Sequence, residues 1–224
     1  MTRVGVVVFP GSNCEHDVVA ALGTLGVDAR LVWHTETGLA GVDAVVLPGG
    51  FAHGDYLRAG ALARFSPVMS AVARFAADGG PVLGVCNGFQ VLTEAGLLPG
   101  ALVKNRGLTF LCQDARLVVS STASVLTRAA APGQELTLPI NHFMGCYTCD
   151  DETYSAIVER GQVVLRYLDN PNGSRGDVAG VANEAGNVVG LMPHPERASS
   201  PLLGSTDGLV LLRGFVGATV PAGA

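Results

Sequence analysis

Cys86 sits in Val82-Leu83-Gly84-Val85-Cys86-Asn87-Gly88-Phe89-Gln90, an apolar run, then Gly-x-Cys-x-Gly, then a helical pattern. A strand that turns sharply into a helix with a nucleophile at the tip is the nucleophile-elbow arrangement, here with Cys in the place of Ser. The backbone at such a tip is strained, and glycines two residues to either side let neighbouring elements close in. The elbow puts Cys86 at the start of a helix, where the positive end of the dipole favours the thiolate, the reactive form of cysteine. The N–H of Asn87 then points toward an oxyanion forming on a substrate. The competing reading is a buried structural cysteine, because free Cys is among the most buried residue types. A place at the carboxyl end of a parallel strand, where α/β proteins bind ligands, favours the nucleophile.

A cysteine nucleophile needs a base, and the base needs a group to orient it. Of five histidines, His194 stands out in Leu191-Met192-Pro193-His194-Pro195-Glu196-Arg197, directly after an apolar strand. Two prolines should hold this segment extended, so that His194 and Glu196, two residues apart, project to the same side. Glu196 would then fix the imidazole's tautomer and orientation. His16, His34, His53 and His142 lack such a neighbour and read as surface or loop histidines. Pro48-Gly49-Gly50-Phe51 ends another apolar strand, and its glycines free the backbone to present a second oxyanion N–H; an ordinary strand-ending turn is the alternative.

The elements that must position these groups alternate in the first half of the chain. Val4–Phe9, Ala29–Val32, Ala44–Leu47 and Pro81–Val85 read as strands, and Glu15–Leu25, Gly60–Ala77 (broken near Pro67) and Asn87–Ala95 as helices. Continuous apolar strands alternating with helices predict an α/β fold, a mostly parallel central sheet with helices on both faces. The second half predicts strands at Leu117–Ser121, Glu135–Ile140, Gln162–Tyr167, Val178–Asn183 and Asn187–Met192, with a hairpin turn at Glu184-Ala185-Gly186. These form an antiparallel β extension, closed by a helix over Asp207–Val216. One domain over 1–217 and a mobile tail over 218–224 are expected.

With 224 residues the chain can bury a sizeable core, and its net charge of −5, without long runs of either sign, argues against nucleic-acid or anionic-membrane partners. No apolar stretch reaches the ~18–20 residues of a membrane span. The five cysteines form an odd set that suits free thiols in a reducing cytoplasm. No Gly-x4-Gly-Lys-Ser/Thr phosphate loop occurs.

The Cys elbow followed by a late His-Pro-Glu resembles the class I (triad-type) glutamine amidotransferases, whose flavodoxin-like core matches the predicted fold. Phe9-Pro10-Gly11-Ser12-Asn13-Cys14, Pro48-Gly49-Gly50-Phe51, Gly54-Asp55-Tyr56-Leu57-Arg58-Ala59-Gly60, the elbow with its Asn-Gly-Phe-Gln, Asn170-Pro171-Asn172-Gly173-Ser174 and Met192–Arg197 recur in order. Together they are similar to the small glutaminase subunits of phosphoribosylformylglycinamidine synthase. The resemblance implies that Cys86 attacks the carboxamide of L-glutamine, that His194 shuttles protons and Glu196 orients it. It further implies that the Gly50 and Asn87 amides hold the oxyanion and that Gln90 lies near the substrate. Ammonia would pass to a large ATP-dependent synthetase subunit, with a small third subunit in the same complex. No cofactor is expected on this chain; ATP and magnesium belong to the partner.

Two departures from the family pattern stand out. A Gly-Glu-Gly-containing segment usual in the family is replaced by Asn141-His142-Phe143-Met144-Gly145-Cys146-Tyr147, and His53 stands where an aromatic residue is common. His142, Cys146 and Cys149 have a zinc-like spacing but supply three ligands, and Cys112 is distant, so no metal site is expected. Asp55 and Arg58 belong either to a partner-facing loop or to a solvated one. Two other functions compete: a stand-alone Cys-elbow hydrolase of related fold, and a regulatory protein that has lost catalysis.

Overall fold

The computed structural model describes residues 1–39 and 41–219. Its strands are β1 (Arg3–Val8), β2 (Asp28–Trp33), β3 (Ala44–Leu47), β4 (Val82–Val85), β5 (Ala101–Val103), β6 (Leu111–Val119), β7 (Glu135–His142), β8 (Cys146–Thr148), β9 (Val163–Tyr167), β10 (Val178–Ala182) and β11 (Val188–Leu191). Its helices are α1 (Glu15–Gly23), α2 (Pro67–Ala77), α3 (Asn87–Glu94), α4 (Asp151–Glu159) and α5 (Gly208–Gly217).

Nine strands form one sheet in the order β2-β1-β3-β4-β11-β10-β9-β6-β7, and β5 pairs with β8 in a small second sheet. The first five strands run parallel, and the sheet turns antiparallel at β10. The chain steps one way from β1 to β2 and the other way from β3 to β4. Right-handed crossovers therefore carry α1 and α2 to opposite faces, and the reversal lies between β1 and β3. The expected α/β architecture with its antiparallel extension is the one observed. Burial explains the strand composition: every residue of β3, β4, β10 and β11 is buried, which requires unbroken apolar runs.

The helical stretch expected from Gly60 divides at Pro67. A 3-10 turn covers Ala63–Phe65 and Ser66 is extended, since the residue before proline avoids the helical region, while Pro67 opens α2 at its first position. Three short elements, β5, β8 and α4, were not predicted. The Asp150 side chain caps α4 by accepting from Thr153 N at 2.7 Å. β6 begins at Leu111, six residues before the expected Leu117, because its polar first half pairs with β7 beyond the core. Among the described residues no helix is long and apolar enough to cross a membrane. Of the tail expected over 218–224, residues 220–224 lie outside the described residues.

Candidate active site

The elbow forms as the spacing requires. Cys86 has φ 50° and ψ −103°, a left-handed conformation rare for a side-chain-bearing residue, and it is 5% exposed. The two flanking glycines make that turn possible for a steric reason. A Cβ on Gly88 would lie 1.9 Å from the Leu47 carbonyl oxygen, and one on Gly84 would lie 2.7 Å from the Gly88 carbonyl. Helix α3 thus rests directly on the backbone of β3 and on its own parent strand. The Cys86 N–H donates to Leu191 O at 2.8 Å, tying the elbow to the end of β11.

His194 enters from that same strand end. Val85 is in register with Leu191, so nucleophile and base follow the carboxyl ends of two adjacent parallel strands. His194 N donates to Pro139 O on β7 at 2.8 Å. Its Nδ1 lies 2.6 Å from Glu196 Oε1, with both side chains buried. The segment is not extended, as the two prolines suggested. Pro195–Arg197 is a single 3-10 turn, which brings residues i and i+2 together by curling the chain, not by strand alternation. Burial by itself pushes the His194 pKa down. The Glu196 carboxylate and the Cys86 sulfur outweigh it and hold the imidazole well above its ordinary range. Nε2 has no hydrogen-bond partner in the protein among the described residues, which leaves it for sulfur and substrate.

Three contributors here escaped the sequence reading. A Cβ on Gly49 would meet His194 Cε1 at 2.7 Å, so the first glycine of the pair makes room for the imidazole. Cys14, following β1, converges with His194 and Glu196, the ligand-type atoms of the three lying within 4.8 Å of one another. Arg197 donates to Cys14 Sγ at 3.3 Å and to Asp17 Oδ2 at 3.1 Å, which pins the turn bearing Glu196 to α1. The recurring Phe9–Cys14 segment was a signal for Cys14, though not for its place beside the base.

The two candidate oxyanion donors, Gly50 and Asn87, follow the ends of β3 and β4. Asn87 is the first residue of α3, so its N–H has no intrahelical acceptor. Gly50 follows β3 with φ 146°, and a Cβ there would meet Asn13 N and Ser12 Cα at 2.8 Å. Among the described residues neither N–H donates to a protein acceptor. The Asn87 side chain is fully used: Oδ1 accepts from Ala52 N at 3.0 Å, and Nδ2 donates to Asp55 Oδ1 at 3.1 Å and Gln90 Oε1 at 2.9 Å. Gln90 in turn donates to Met144 O.

A cavity of about 170 Å³ opens at Cys86, walled by Gly50, Phe51, Asp55 and Gln90 on one side and by residues 141–144 on the other. It is smaller than the ~300 Å³ lower bound for drug-sized ligands, a size for a small metabolite. The Asn141–Tyr147 departure therefore sits in the wall of the site, which Asn141, His142, Phe143 and Met144 line. A larger cavity, about 760 Å³, lies behind the Glu196–Ser200 segment, but neither Cys86 nor an oxyanion donor lines it.

Histidines expected on the surface divide. The His16 side chain is exposed. His142 is buried, 3% exposed, with Nδ1 3.2 Å from Asn105 Oδ1; burial and then the neighbouring His194 bring its pKa down to about 4. His53 packs edge-on against His34 at 5.3 Å and tilted against Phe9 at 6.2 Å, so it fills an aromatic place with an imidazole. Arg58 pairs with Glu94, its Nη2 2.7 Å from Oε2, while Asp55 turns inward to the cavity.

A family model described as a CobB/CobQ-like glutamine amidotransferase domain matches residues 1–206. The chain is 60% identical over 211 residues to "Phosphoribosylformylglycinamidine synthase subunit PurQ" of Rubrobacter xylanophilus, covering 94% of this chain and 96% of that protein. It is 56% identical over 214 residues to the protein of the same name from Parasynechococcus marenigrum, covering 95% and 99%. Among solved structures it superposes with a TM-score of 0.90 on a chain of "Structure of PurLQS from Thermotoga maritima", at 40% identity over 98% of this chain and 99% of that one. A putative GMP synthase component from Thermoplasma acidophilum matches at TM-score 0.67 and 20% identity over 98% and 94%, a likeness of fold alone.

Proposed function

The chain belongs to the CobB/CobQ-like glutamine amidotransferase family, and from that premise we propose that it is the glutaminase subunit of a phosphoribosylformylglycinamidine synthase. The observation that carries the reading is Cys86 at an elbow beside a small cavity that Gly50 also lines, with the buried His194–Glu196 pair on the adjacent strand end and the unengaged N–H groups of Gly50 and Asn87.

Cys86 Sγ attacks the carboxamide carbon of L-glutamine. The carbonyl oxygen becomes an oxyanion that accepts from the N–H groups of Gly50 and Asn87, which are in place before the charge develops. The proton on His194 Nε2 passes to the departing nitrogen, and ammonia leaves as the C–N bond breaks and a thioester remains. Neutral His194 then takes a proton from water as its oxygen attacks the thioester, and collapse of the second tetrahedral adduct expels the Cys86 thiolate and glutamate. Glu196 holds the ring's tautomer through Nδ1 and stabilises the imidazolium. Gln90 and Asn87 brace the walls of the cavity.

The ammonia passes to a large ATP-dependent synthetase subunit, which uses it to convert formylglycinamide ribonucleotide into formylglycinamidine ribonucleotide, with a small third subunit in the complex. This chain holds no cofactor of its own; ATP and magnesium act on the synthetase. All five cysteines are free thiols, in keeping with a place in the cytoplasm. The test is the complex assembled with Cys86→Ala: glutamine-dependent synthesis is lost while synthesis from added ammonia survives. Glutamine-dependent synthesis that persists without the thiol would overturn the mechanism.

A further inference from the structure

The cavity at Cys86 is lined by a single acidic side chain, Asp55. Its backbone has φ 51°, a left-handed conformation that turns the side chain off an exposed loop. Among the described residues its one hydrogen-bond partner is Asn87 Nδ2, and no Arg, Lys or His pairs with it. Asn87 is itself saturated, shared between Asp55, Gln90 and Ala52. Asp55 is therefore half-buried, tied by one hydrogen bond, and without a counter-charge. Keeping a carboxylate in such a place costs free energy that the single Asn87 hydrogen bond only partly offsets. The same burial raises its pKa to about 6, so at neutral pH the group stands as an unneutralised anion facing the cavity.

Resting on the glutaminase reading, we propose that Asp55 is the specificity determinant of this site: its carboxylate pairs with the α-ammonium of glutamine and selects an amino acid over other primary amides. The substrate's two polar ends then match the cavity's two polar ends. The carboxamide lies at Cys86 between the Gly50 and Asn87 N–H groups, and the ammonium lies at Asp55, with Phe51, Phe143 and Met144 along the methylene chain. Asn87 links the two ends, since its backbone N–H serves the oxyanion and its side-chain amide holds Asp55. The ammonium of the zwitterion supplies the counter-charge that the free protein lacks, with the adjacent α-carboxylate turned away from Asp55.

The test compares glutamine with glutaramate, which keeps the carboxamide and carboxylate but lacks the α-amino group, in the assembled complex. Wild-type protein should prefer glutamine in kcat/KM by about 30-fold or more, the cost of leaving one member of a buried charge pair unmatched. In Asp55→Asn, which suits the left-handed backbone and preserves the Asn87 bond, that preference should collapse to a few-fold, with the change carried mainly in KM. A wild-type complex that hydrolyses both amides equally well overturns the proposal without any variant. So does an Asp55→Asn complex whose rates fall on both amides by the same factor, because that is loss of structure and not of ammonium pairing. A wild-type complex that hydrolyses neither amide overturns the glutaminase reading itself, and the proposal falls with it. Ammonia-dependent synthesis, measured in parallel, reports that each complex is assembled.

Discussion

Gly88→Ala adds one methyl group where the backbones of α3 and β3 nearly touch. Its carbon would lie 1.9 Å from Leu47 O, 2.6 Å from Leu47 C and 2.8 Å from Leu47 Cβ. A tolerable contact needs roughly 3 Å, so α3 and β3 must part by about 1 Å. Neither can do so locally: Leu47 is fully buried, and β3 is paired with β1 on one side and β4 on the other. Overpacking in cores costs about 1–3 kcal/mol, and because two backbones are involved here the upper end, about 3 kcal/mol, is expected. For a chain of this size that is a fall in Tm of roughly 6–12 °C. The catalytic cost adds to it, because β3 leads into Gly50 while α3 begins at Asn87, the two oxyanion donors. Shifting one against the other by ~1 Å should lower glutamine kcat/KM about 100-fold. Gly23→Ala is the matched control: no atom lies within 4 Å of its Cβ, and in the last turn of α1 it should stabilise by about 0.5–1 kcal/mol. Thermal unfolding followed by circular dichroism, with glutamine-dependent synthesis in the complex, reads both. A Gly88→Ala protein with Tm within ~2 °C of wild type and near-normal turnover would refute the steric account of the elbow.

Glu196→Gln keeps the shape of the His194 partner and removes its charge; glutamine-dependent turnover should drop about 10³-fold or more, with ammonia-dependent synthesis retained. A loss under ~10-fold would show that orientation of the ring does not depend on Glu196. His142, with its pKa brought down to about 4 by burial and then by His194, binds its proton more readily in the unfolded chain. Its contribution to stability is therefore full above ~6.5 and is lost as pH falls toward about 4, roughly 2 kcal/mol gone at about pH 5. His142→Gln should flatten that part of the Tm–pH curve by about 4–8 °C between pH ~7 and ~5, and an unchanged slope would count against a buried neutral imidazole.

What could be read from the sequence was what local chemistry encodes. The strand, the Gly-x-Cys-x-Gly turn and the helix of the elbow lie within about ten consecutive residues, and the buried parallel strands announce themselves as unbroken apolar runs. His194 and Glu196 were identified for an incomplete reason: their proximity comes from a 3-10 turn, and proline fixes φ without deciding whether the chain extends or curls. β5 and β8 went unseen because each is three residues long and exists only through pairing with a partner some forty residues away. α4 carried signals in Asp150, Asp151 and Glu152, but only Ile157 of its residues is buried, so no apolar stripe marked it. Cys14 and Gly49 reach the site across the sheet, a juxtaposition that only the order β1-β3-β4-β11 creates, and His142 arrives from the end of β7.

That order has a consequence for control. The Cys86 amide is bonded to Leu191 O, and Val85 and Leu191 are paired in the interior of the sheet, so the distance from nucleophile to base is as durable as the domain. Amide exchange at Cys86 should proceed only through global opening. In the proposed mechanism, the backbone that carries Cys86 and His194 then stays assembled for as long as the sheet does. Outside that frame, Phe51, Asp55 and residues 141–144 line the cavity, and control by a partner is expected to act there, on access to the site.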